Sequence, residues 1–131
     1  MTLKKLSLIS ISLFIFTSCG GGGGSSSYDP PADGCTPSTT NLCITVNSDR
    51  KYVVQNSSST GVAQKTLTLN AGTYVFDQTD STNSTHPLRI STTSNGTHNS
   101  GSAYTTGVTT SGTPGTDGKT TIVINASTPS T

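Results

Sequence analysis

KTLTLN, residues 65–70, sets Leu67 and Leu69 on one side of an extended chain and Thr66 and Thr68 on the other. A two-residue period marks a half-buried strand, because successive side chains leave a pleated backbone on opposite faces. The period recurs in LCITV (42–46), through Leu42, Ile44 and Val46, and in TYVFD (73–77), through Tyr74 and Phe76. PLRIS (87–91) repeats it through Leu88 and Ile90 with Arg89 outward, and KTTIVIN (119–125) through Ile122 and Ile124. RKYVVQ (50–55) is a further candidate strand, and NSSSTG (56–61) reads as a turn or loop. Nowhere do apolar residues recur at three and four over a dozen positions, and threonine, serine and β-branched residues dominate. Nothing reads as a helix. The expected class is all-β.

Residues 92–118 are rich in Gly, Thr and Ser and hold few anchors, among them Tyr104 and Val108. A structureless stretch of that length is unusual inside a compact domain, so a short strand is expected around YTTGVTT (104–110).

The N-terminus has a different character. Lys4 and Lys5 precede an apolar run from Leu6 to Phe16, then Thr17, Ser18 and Cys19. A basic opening, a short apolar run and small residues describe an export signal, and the run is too short to span a bilayer. A cysteine directly after it resembles the lipobox of bacterial lipoproteins, with Phe16 standing where leucine is usual. That resemblance implies cleavage before Cys19, lipid on Cys19 and attachment to the cell envelope, as an outer-membrane lipoprotein. Ordinary secretion, to the periplasm or beyond, is the alternative. Gly20–Gly24 and Ser25–Ser27 have no side chains able to form a core and read as a flexible tether. The expected organisation is therefore a signal peptide at 1–18, a tether at 19–41, a β domain at 42–126 and a disordered tail at 127–131.

Lys4 and Lys5 leave with the signal, so seven basic side chains become five, against six acidic ones. A nearly neutral chain without a basic block has no electrostatic basis for binding nucleic acid. Cys35 and Cys43 flank TPSTTNL in a compartment that permits oxidation. A disulfide is expected there; two free thiols and a metal-binding pair are the alternatives.

The chain holds two histidines, His86 and His98, at either end of HPLRISTTSNGTH. With its flanks, DSTNSTHPLRISTTSNGTH (80–98) closely resembles a cupredoxin-like domain of surface proteins in marine bacteria and of some phage proteins. KYVV and KTLTLNAGTY fit the opening strands of that family, and the likeness covers roughly residues 50–125. The resemblance implies an incomplete Greek-key β-sandwich of about six or seven strands. It also places His86 at the family's remote histidine ligand. The family continues past its last strand into a Cys-x-x-His-x-x-Met element, and two imidazoles, a thiolate and a weak axial thioether make a blue-copper set. Here the chain runs out at NASTPST, with no Cys, His or Met after Ile124. An incomplete domain is expected: either the gene product is truncated, or a partner strand fills the gap by pairing at an open sheet edge.

No catalytic constellation emerges. No serine has the context of a nucleophile elbow, and Asp77, Asp80 and Asp117 lack calcium-loop spacing. His98 falls in a solvent-facing turn, Arg89 is expected to pair with Asp77 or Asp80, and Tyr74, Phe76 and Tyr104 read as core or rim, with a binding platform as the alternative. The expected function is a lipid-anchored extracytoplasmic module with a structural or binding role, no catalysis and no cofactor. The alternative is a remnant of a copper-binding electron carrier.

Overall fold

The computed structural model describes residues 6–8, 34–57, 59–63, 66–93, 96–97 and 100–129. Eight strands follow in order: β1 (Leu6–Leu8), β2 (Asn41–Val46), β3 (Tyr52–Asn56), β4 (Ser59–Ala63), β5 (Leu67–Leu69), β6 (Gly72–Gln78), β7 (Val108–Ser111) and β8 (Gly118–Ile124). A single 3-10 turn, Ser81–Asn83, interrupts them. No helix among the described residues is long and apolar enough to cross a membrane.

Six strands form one mixed sheet in the order β4-β3-β2-β6-β8-β7. All neighbours pair antiparallel except β2 and β6, which run parallel with Leu42 opposite Phe76. The remaining pair is β1 with β5, antiparallel, with Leu6 opposite Leu69. β1 falls inside the stretch read as an export signal.

Register decides which residues share a face. Ile44 lies opposite Val54, Leu42 opposite Phe76 and Tyr74 opposite Ile122. One face of the sheet therefore carries the apolar set, and Leu67 and Leu69 of β5 with Leu88 and Ile90 complete the buried cluster. Tyr104 and Val108 pack against its margin.

Two stretches depart from the sequence expectation. Residues 56–61 do not form a simple loop: β4 begins at Ser59 and pairs antiparallel with β3, which satisfies the backbone groups there. PLRIS is not a strand. Leu88 and Ile90 do point inward, but the segment has only a single bridge, Ser91 to Ala103. β8 is flanked by β6 on one side and β7 on the other, and β7 and β4 form the two edges of the sheet. Residues 108–111, within or next to the expected YTTGVTT strand, form β7.

Both boundaries of the domain reach further than its strands. Residues 35–40, read as tether, are seated on the sheet through Cys35 and through the Val75 amide, which donates to the Thr40 carbonyl at 2.8 Å. At the other end Thr128 is buried and closes a turn, its hydroxyl accepting from the Asn125 amide at 2.9 Å.

Candidate functional site

The residues singled out in the sequence converge on one end of the sheet, where β6 runs into the 79–90 segment. Gln78 continues the inward parity of Tyr74 and Phe76, so an amide occupies a place where the strand otherwise buries apolar groups. Its Nε2 donates to the His86 carbonyl at 2.8 Å and to Asn83 Oδ1 at 3.2 Å. Its Oε1 accepts from the Leu88 amide at 3.0 Å. Asn83, fully buried, donates through Nδ2 to the carbonyls of Ile44 at 2.7 Å and Asp80 at 3.1 Å. The Tyr52 hydroxyl gives the His86 carbonyl a second donor at 2.9 Å.

A second chain of bonds fixes the turn from outside. Asp80 caps it, accepting from the Thr82 amide at 2.8 Å and from the Thr82 hydroxyl. Thr82 Oγ1 in turn accepts from the Val46 amide at 2.9 Å, tying the turn to the end of β2. Further along, buried Ser91 holds the next loop: its hydroxyl lies 2.9 Å from the carbonyls of Gly96 and Ser102 and accepts from the Thr93 amide at 3.2 Å. Among the described residues no buried side-chain nitrogen or oxygen lacks a partner. The most distinctive run of the sequence is thus a self-satisfying structural motif, and a network whose members are all paired rigidifies the chain it joins.

His86 takes part through its backbone carbonyl. Among the described residues no three His, Cys, Asp or Glu side chains gather into a group that could hold a metal. The two described cysteines cannot supply a copper thiolate, because Cys35 and Cys43 are bonded to each other with Cα atoms 5.9 Å apart. The residues present do not fit the blue-copper set that the resemblance implies. His98 and Cys19 lie outside the described residues.

The partner expectation needs correcting. It named membrane lipid through Cys19 and a protein partner at an open sheet edge. Both described cysteines are consumed in an intramolecular disulfide, which leaves neither free for lipid attachment, while β4 and β7 stand at the two edges of the sheet.

Arg89 is exposed, as its outward position requires, but its expected acidic partners are engaged elsewhere. Asp77 pairs with Lys119, opposite it on β8, at 2.5 Å, and Asp80 is taken by Thr82. Asp77 also accepts from the Thr79 amide at 3.0 Å. Burial pushes its carboxyl up, yet the bonds from Lys119 and Thr79 outweigh that and hold it below the usual carboxylate range. For Tyr52 the balance runs the other way: burial raises the phenol well above the ordinary tyrosine value, and the nearby Arg89 charge only partly opposes it. Tyr74 and Phe76 are buried core residues, so they offer no binding platform.

Sequence reasoning missed Gln78, Asn83 and Tyr52 as a unit. The available signal was Gln78 itself, a polar residue at the next inward position after Tyr74 and Phe76. Compared with known proteins, the chain matches no family model, no curated protein and no solved structure.

Proposed function

We propose that the chain is an extracytoplasmic β domain of cupredoxin-like build, a Greek-key sandwich in its finer plan, which acts as a non-catalytic structural or binding module. The observation that carries this reading is the use of the 78–96 run: its buried polar side chains hold one another and the backbone, and among the described residues none of them lacks a partner. The Cys35–Cys43 disulfide supports the location, since such bonds persist in oxidising compartments, and the basic and apolar opening reads as the matching export signal.

Two measurements test the reading. A fusion of residues 1–131 to alkaline phosphatase, which folds only after export, should be active in a bacterial host. An inactive fusion retained in the cytoplasm would overturn the location. Copper(II) titration of the purified protein should give no intense thiolate-to-copper absorption, and such a band would restore the electron-carrier alternative.

A further inference from the structure

We infer that residues 35–40 form a redox-latched strap over the second face of the sheet, held shut by the Cys35–Cys43 disulfide. That face is the one opposite the core. Cys43, Gln55 and Asp77 point to it and are nonetheless almost fully buried, whereas on β8 Val123 is 45 % exposed and the Lys119 side chain 44 %. Over β2 the strap sets Cys35 directly on buried Cys43. Gly34 is seated so close to Thr79 that a Cβ there would lie 3.3 Å from its Cγ2. At its far end the strap runs into the plane of the sheet: the Ser57 amide reaches the Ser38 carbonyl at 3.4 Å, and the Val75 amide bonds the Thr40 carbonyl at 2.8 Å as the first rung of the β2–β6 pairing.

The strap itself is Thr36, Pro37, Ser38, Thr39 and Thr40, and none of these belongs to the apolar cluster. Its internal bonds are short-range: Ser38 Oγ accepts from the amides of Thr40 at 3.2 Å and Asn41 at 2.9 Å, and Asn41 Nδ2 donates to the Thr36 carbonyl at 2.9 Å. Such bonds shape the segment without fastening it. Segments with few buried apolar contacts open at low free-energy cost, so the disulfide is the principal latch.

The latch has one accessible side. Cys35 is half-buried and Cys43 is 1 % exposed. A thiolate of an added dithiol attacks Cys35 Sγ, the Sγ–Sγ bond breaks, and Cys43 leaves as thiolate. The second thiol of the reagent then displaces Cys35 and closes the reagent's own disulfide. Two electrons pass to the protein and both cysteines end as thiols. Cys43 departs on the same face as Asp77, its register partner on β6. Lys119 offsets the Asp77 charge, so it is the burial of Cys43 that disfavours its leaving as thiolate and slows opening relative to an exposed disulfide.

The test is amide hydrogen exchange of the whole protein, oxidised and after dithiothreitol, with Cys35→Ser as a second route to the open form. Oxidised, the Val75 amide should be protected to the same degree as the amides of the β6–β8 ladder. Reduced or substituted, it should exchange at least about tenfold faster than that ladder within the same sample. If Val75 and the ladder still exchange together in the reduced protein, the strap is refuted: both slow means that the segment stays seated without the disulfide, and both fast means that the disulfide braces the whole fold.

Discussion

Gln78 Nε2 and Asn83 Oδ1 meet at 3.2 Å, both side chains almost completely shielded from water. That contact joins a strand to a turn, and its two amides then reach the His86 carbonyl, the Leu88 amide and the Ile44 carbonyl. Removing either amide strands several buried groups at once. Gln78→Leu and Asn83→Ala should each destabilise the fold by roughly 2–4 kcal/mol, the range for breaking a buried hydrogen-bond network. Urea unfolding followed by circular dichroism checks this. A loss below about 0.5 kcal/mol in both variants would show that water replaces the amides without cost.

Tyr52→Phe should cost less, about 1 kcal/mol, because the His86 carbonyl keeps Gln78 as a donor when the hydroxyl goes. The phenol also makes stability depend on alkaline pH. Its folded value is raised, so the contribution is complete below the ordinary tyrosine value of about 10 and is lost as pH rises through the folded one. The stability gap between wild type and Tyr52→Phe should therefore narrow only above about pH 10. A gap that closes near neutrality would contradict a buried, neutral phenol.

The sequence shows the core strands because burial on one side imposes a period that local reading detects: Leu42 with Ile44, Tyr74 with Phe76, Ile122 with Ile124. It does not show β4, whose STGVA has little apolar patterning and is a strand through its pairing with β3. Leu88 and Ile90 mislead in the opposite sense: they alternate and are buried, but their backbone is held mainly by the side chain of Gln78 and a bond to Tyr104 in place of a ladder. The site follows the same rule. The distinctiveness of residues 80–98 is visible in the sequence, while its cause is not, because Ile44, Tyr52 and Val46 are 34 to 39 residues from their partners. Lys119 is likewise 42 residues from Asp77, and only the β6–β8 register brings them together.

That register makes an acid-sensitive pair. Lys119→Ala leaves a nearly buried carboxylate with Thr79 alone and should destabilise the protein by roughly 1–2 kcal/mol at neutral pH, discounted for the half-exposed lysine. Asp77 has a lowered folded value, so its contribution is present above the unfolded carboxylate value of about 4 and is lost as pH falls through the folded one. Thermal unfolding from about pH 7 to pH 2 should show the variant and wild type converging at the acid end. Parallel curves over that range would remove Asp77 as the group responsible.

Gly115 offers the sharpest test of how the 112–117 turn meets the 3-10 turn. Its φ is +86°, and a Cβ there would stand 2.7 Å from Ser84 Cα, a backbone atom that cannot swing away. Its amide meanwhile donates to the Gln78 carbonyl at 2.8 Å, so the close approach brings the hairpin end down onto the strand that carries the buried network. Gly115→Ala therefore meets both a left-handed backbone and a steric overlap, and should cost roughly 2–3 kcal/mol. At Gly107 the φ is +69° and the nearest contact of an added Cβ is 2.9 Å from the Val123 carbonyl oxygen, away from the network. Gly107→Ala is thus the matched control for backbone strain. If the two variants lose equal stability in urea, and neither changes the exchange of the Leu88 amide that Gln78 holds, the hairpin end has no grip on the network. Faster exchange at Leu88 in Gly115→Ala alone is the expected result, because only that substitution forces apart Ser84 and the turn that positions Asn83.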